Sequence, residues 1–170
     1  MLLRHAKSER AEPGESDRDR RLAPRGRTDA PTIGAYMARH GFVPELALVS
    51  AAKRATETWA LIEPVLKAPP RVVFEERLYQ AAPDQLLDVI RETSGAQSLA
   101  VIGHNPGLHE LAVQLIAAGN VDARQRVGEG LPTSGLVVID LAFDDWSQLH
   151  PHAGRLERFV SPRLLAAATD

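Results

Sequence analysis

Three short motifs in this 170-residue chain carry residues suited to anion chemistry. Arg4-His5 stands almost at the start, Ser50-x-x-x-Arg54 follows, and Gly103-His104-Asn105-Pro106-Gly107 stands past the middle. A guanidinium offers a planar fork of donors that matches phosphate oxygens in pairs. Two histidines and two arginines, with no acid inside the same motifs, therefore describe an anion site. The helix expected to begin near Pro106 adds free N–H groups and the positive end of its dipole. Each motif alone has a plainer reading: a solvated Arg-His pair, a helix-surface arginine, a glycine-flanked turn. Their joint occurrence at three strand ends carries the functional reading.

Other candidates are weaker. His150-Pro151-His152 has no cysteine or carboxylate cluster beside it and makes a poor metal site. His104 and His109 are five apart, so they do not share a helix face as i, i+4 ligands do. The Gly103 to Gly107 segment lacks the Lys-Ser/Thr of a P-loop. Ser50 lacks the glycine context of a nucleophile elbow.

The motifs need a frame that brings them together. Met1 to Leu3, Ala47 to Val49, Val72 to Phe74, Leu99 to Ile102, Leu136 to Ile139 and Leu156 to Val160 read as strands. Between them lie helical patterns: Ile33-Tyr36-Met37-His40, Ala55-Trp59-Ile62-Leu66, Leu86 to Ile90, and Leu108 to Ile116. Thr28 or Asp29 is expected to cap the first helix, with Pro31 in its first turn, and Asp84 to cap the third. Leu164 to Ala168 reads as a terminal helix. Residues 7–28 read as a long charged loop, and Asn120 to Pro132 as a surface loop. Strands and helices alternate, and the strands are continuous apolar runs, as in sheets covered on both faces. The expected fold is a three-layer α/β/α sandwich with a mostly parallel sheet, one domain over residues 1–170. Arg4-His5, Ser50 and Gly103-His104 would then lie at carboxyl ends of strands, where open α/β sheets bind ligands.

Composition narrows the function classes. The formal charge is −2, which gives no general attraction to nucleic acid or anionic membrane. The chain has no cysteine, so disulfides, thiolate nucleophiles and Cys-ligated metals are excluded. No apolar run approaches the ~18 residues of a membrane span, and no secretory signal pattern opens the chain. A cytoplasmic protein is expected. The oligomeric state is not legible.

Beyond chemistry and periodicity, the motifs resemble a known family. Leu3-Arg4-His5-Ala6-Lys7-Ser8 is similar to the opening signature of the histidine phosphatase superfamily, also called phosphoglycerate mutase-like. The order Asp17-x-x-Arg20-x-Leu22, Ser50-x-x-x-Arg54-Ala55-x-x-Thr58, Leu78-Tyr79, Gly103 to Gly107 and Pro132-Thr133-Ser134-Gly135 resembles its SixA-type phosphohistidine phosphatases. The resemblance implies the phosphoglycerate mutase-like fold, no cofactor and no metal. It implies His5 as a nucleophile that becomes phosphohistidine, with Arg4, Arg54 and His104 around the phosphoryl group. Arg20 and Asn105 would bind substrate. Asn105 stands where the acid-phosphatase branch has Asp, and Glu76 is the one tempting match to the mutases' acid. The implied substrate is a phosphorylated protein, above all phosphohistidine. The alternatives are a small phosphate ester, or a non-catalytic phosphate-binding module on the same fold.

Overall fold

The structure is a computed structural model and describes residues 1–168. Seven strands form one sheet: β1 (Leu2–Arg4), β2 (Leu46–Ser50), β3 (Arg71–Glu75), β4 (Leu99–Gly103), β5 (Ile116–Gly119), β6 (Leu136–Leu141) and β7 (Gly154–Val160). Their spatial order is β3-β2-β4-β1-β6-β7-β5. β6 runs antiparallel to both its neighbours, β1 and β7, and every other pair is parallel. The sheet is mostly parallel, and helices cover both of its faces.

The continuous apolar runs follow from burial on both faces. Along β1, β2, β4 and β6, alternate side chains enter opposite cores. Leu2, Leu48, Val101 and Val137 pack into one core with Leu86, Ile90, Leu108 and Leu111. Leu3, Val49, Ile102 and Leu136 pack into the other with Ile33, Met37, Trp59 and Ile62. The first core is covered by α3 (Pro83–Arg91), α4 (Gly107–Leu115) and α5 (Val121–Glu129). The second is covered by α1 (Pro24–His40) and α2 (Lys53–Ile62). Each fully buried Leu or Ile contributes on the order of 1.5–3 kcal/mol relative to exposure. The terminal helix α6 spans Pro162–Ala167.

Several local expectations are corrected. The first helix begins at Pro24, so the charged loop ends there, and Pro31 lies inside the helix. Pro24 occupies the first turn, where its missing N–H costs nothing. Gly26 makes that early start possible, because a Cβ there would lie 2.1 Å from the Lys7 carbonyl oxygen. The third helix is preceded by Ala82 rather than capped by Asp84. The stretch read as a surface loop contains α5, started by Asn120, whose side chain accepts from the Ala123 N–H at 3.0 Å. α5 buries only Val127, so its sequence shows almost no apolar stripe. The apolar run after Leu108 breaks at Ile116 into β5, an edge strand paired with β7.

Candidate active site

Parallel pairing sets the carboxyl ends of β1, β2 and β4 side by side. Arg4 pairs in register with Gly103, and Val49 with Ile102. The chain leaves β1 at His5, β2 at Ser50 and β4 at His104, so these three side chains meet on one rim. The His5 and His104 rings lie 5.1 Å apart between centroids. Both are buried, as are Ser50, Arg54 and Thr58.

His5 is held in one orientation and one tautomer. Its Nδ1 lies 2.8 Å from the Ala6 carbonyl, which can only accept, so Nδ1 carries the proton. The lone pair is then on Nε2, and Arg54 Nε donates to it at 3.3 Å. The exit turn is pinned by Thr58, whose hydroxyl accepts the Ala6 N–H at 2.9 Å and donates to the Arg54 carbonyl at 2.6 Å. The His5 N–H donates to Gly103 O, and the Ser134 N–H bridges the Arg4 and His5 carbonyls. Burial depresses the His5 pKa to about 3, helped by the charges of Arg54 and Arg4. His5 is thus neutral at physiological pH, and burial is the larger cause.

His104 is organised differently. Its Nε2 lies 2.7 Å from Ser50 Oγ, and that oxygen also accepts the Ala52 N–H at 3.3 Å. Its Nδ1 is buried with no protein partner. Burial and the Arg54 charge lower its pKa to about 4. α4 begins beside it at Gly107, where a Cβ would lie 1.9 Å from the Ala81 carbonyl oxygen. Only glycine lets this helix start so near the backbone entering α3.

The strand-end motifs themselves hold no acid, but Asp17 from the loop folds over the cluster. Arg54 donates from Nη1 to the Asp17 carbonyl at 2.7 Å and from Nη2 to its carboxylate at 3.1 Å. The Tyr79 hydroxyl donates to the same carboxylate at 2.6 Å, and Arg20 at 2.7 Å. These donors hold the Asp17 carboxyl well below the usual carboxylate range, the Tyr79 hydroxyl first. Asp17 is therefore ionised at neutral pH and positions arginines rather than giving up a proton. With three of five guanidinium N–H groups engaged, Arg54 retains two for an oxyanion.

The remaining expected residues fall in separate places. Arg20 is turned onto the loop: besides Asp17 it donates to Ser8 Oγ at 2.7 Å and Glu9 O at 2.9 Å. Arg4 Nη1 and Asn105 Nδ2 both donate to the Leu131 carbonyl, at 3.0 and 2.8 Å. Arg4 Nε is buried without a partner. Glu76 is ion-paired with Arg18, which stands 5.5 Å over the Tyr79 ring. Ser50, Thr58, Asp17, Tyr79 and Ser134 had no role assigned from sequence, although each lies within a motif quoted above. Among the described residues no group of three or more His, Cys, Asp or Glu is arranged to hold a metal ion. No helix among them is long and apolar enough to cross a membrane.

Comparison with known proteins defines the class. The model of the histidine phosphatase superfamily (branch 1) matches residues 1–82. The chain is 37% identical over 166 residues to an uncharacterized protein of Mycobacterium leprae (strain TN), covering 95% of this chain and 100% of that one. It is 31% identical to SixA from Agrobacterium tumefaciens, with a TM-score of 0.78 over 95% of this chain and 96% of that one. The protein histidine phosphatase SixA solved with tungstate shares the fold, with a TM-score of 0.69, 23% identity, and 96% and 97% of the two chains covered. This chain belongs to the histidine phosphatase superfamily. Within that superfamily it is of the SixA type, and its family and neighbours support phosphatase activity.

Proposed function

We propose that the chain dephosphorylates phosphohistidine on a protein through a phosphoenzyme formed at His5, without a metal ion. The observation that carries this reading is the fixed His5 tautomer, with its Nε2 lone pair directed at Arg54 inside a buried cationic cluster. In the first step Nε2 attacks phosphorus, the Nε2–P bond forms and the bond to the leaving group breaks. Arg54 and Arg4 supply donors to the phosphoryl oxygens, and His104 Nδ1 is buried and free to take one more contact. Arginine charge does the neutralising that a metal does elsewhere. In the second step water attacks phosphorus, the N–P bond breaks, and phosphate leaves with His5 again neutral.

The leaving-group side favours phosphoramidate. Asp17 is ionised, and Glu76 is engaged by Arg18 with its side chain 67% exposed. Neither is arranged as a buried proton donor. A phosphohistidine imidazole departs neutral when its distal nitrogen carries a proton from solvent, whereas an alkoxide needs an acid at its oxygen. SixA from Agrobacterium tumefaciens, named for phosphohistidine phosphatase activity, points the same way. The test compares kcat/KM for a phosphohistidine peptide with kcat/KM for sugar and nucleotide phosphates. Preference for the phosphohistidine peptide by tenfold or more supports the reading. Preference for a small ester replaces it with ester hydrolysis, and phosphate binding without any turnover replaces it with a binding module.

A further inference from the structure

Beside the catalytic cluster, toward β6 and β7, the rim carries a groove of about 670 Å³. Its lining includes Arg4 and Asn105, which adjoin His5 and His104 in the chain, together with Arg126, Phe159, Arg163 and Leu164. Resting on the phosphatase reading above, we infer that this groove binds an acidic polypeptide segment flanking the phosphorylated residue of the substrate.

Three features select that occupant. The first is free positive charge. Arg126 and Arg163 are exposed and, among the described residues, form no ion pair, so both charges are available to a ligand in the groove. Glu129 also lines the groove, but its carboxylate accepts from Gln125 at 3.1 Å and neutralises neither arginine. With Arg4, the lining carries three cations against one anion. Such a field favours carboxylate side chains.

The second feature is an unused acceptor. Asn105 gives its Nδ2 to Leu131 O, which leaves Oδ1 buried with no donor. A buried unpaired acceptor is costly until a donor reaches it. Phosphate and carboxylate groups offer no N–H, whereas a peptide backbone offers one per residue. The neighbouring Arg4 Nε, buried and unpaired, has the opposite need and suits a phosphoryl oxygen. The groove thus brings together a phosphoryl donor, a peptide acceptor and two free guanidinium groups.

The third feature is the apolar floor. Phe159 and Leu164 are half-buried beside the two arginines and can cover the methylene stems of acidic side chains. A second small anion would use the charges but neither the acceptor nor this floor.

The test measures binding of two peptides that carry a non-hydrolysable phosphonate analogue of phosphohistidine, one with Asp/Glu flanks and one with Lys flanks. The wild-type protein should bind the acidic peptide about 3- to 10-fold more tightly, from two exposed ion pairs. Added salt should erase the gap. The exposed double variant Arg126→Glu/Arg163→Glu should lose or reverse it while turning over p-nitrophenyl phosphate as the wild type does. Equal binding of the two peptides, or a gap that survives in the double variant, overturns the groove assignment. A gain shown by a small phosphate ester with a second anion, but by neither peptide, overturns the polypeptide occupant. Turnover of p-nitrophenyl phosphate separates the two ideas: if it persists while the peptide gap is absent, only the groove is wrong. If no phosphorylated compound is turned over, the phosphatase reading fails, and the binding gap still decides the groove.

Discussion

The two halves of the rim hold their charges in opposite ways. At the strand ends, His5, Ser50, Arg54 and His104 are buried and fixed by backbone carbonyls, a threonine and one another. On the covering loop, Asp17, Arg18 and Arg20 are open to solvent in varying degree and tied by ion pairs. The Arg54 side chain is 5% exposed and that of its partner Asp17 41%. Buried polar groups in fixed geometry have no water to replace a lost partner, while exposed ion pairs do. The strand-end half should therefore carry chemistry and stability, and the loop half should tune access and orientation.

That contrast can be broken at graded points. Replacing His5 with Asn removes the proposed nucleophile, and kcat/KM should fall by on the order of 10³-fold or more while vanadate still binds by calorimetry. Retained turnover would move the nucleophile elsewhere. Arg54→Ala should lower kcat/KM by about 10²- to 10³-fold, as expected for a buried oxyanion donor. Arg54→Lys should rescue little of it, because the fork spans His5 and Asp17 at once. Thr58→Ala leaves the buried Ala6 N–H without an acceptor and should cost about 1–3 kcal/mol in urea unfolding. On the loop side, Arg18→Ala breaks an exposed pair with Glu76 and should leave the urea midpoint nearly unchanged. An Arg18→Ala effect as large as that of Thr58→Ala would erase the distinction between the halves.

Acid tests the same contrast. His5 and His104 titrate at about 3 and about 4 in the folded chain, below the ~6.5 of an unfolded histidine. As pH falls, the unfolded chain takes up these protons first. The stability they provide is complete above about pH 6.5 and is lost progressively toward pH 3. Urea midpoints should fall across that window, and the His5→Asn/His104→Gln double variant should fall less steeply. Parallel slopes for the two proteins would contradict the buried, neutral state of both rings.

What was legible in the sequence follows the same division. The strands of the inner sheet announce themselves because burial on both faces demands unbroken apolar runs, as in Leu99 to Ile102. Parallel neighbours then place His5, Arg54 and His104 on one rim, and the structure brings those three together. Periodicity failed where packing is sparse or the backbone decides. α5 buries one residue, β5 is a four-residue edge strand, and the start of α1 depends on a glycine against Lys7 O. Asp17 heads a motif quoted from the sequence, but its role at Arg54 is not legible there, for a related reason. Its partners Arg54 and Tyr79 are 37 and 62 residues away, and nothing local in a charged loop marks one acid among several. The Tyr79 hydroxyl and the Ser50 contact to His104 are legible only once the chain is folded.

The central claim is a covalent phosphoryl group on His5 Nε2. Rapid-quench labelling with a phosphohistidine peptide tests it most directly, followed by peptide mapping under alkaline conditions that preserve phosphohistidine. The account predicts an acid-labile phosphoryl group on the peptide containing His5, formed before phosphate is released and absent in His5→Asn. Phosphate release with no such intermediate, or a label on His104 with His5 unmodified, would contradict it.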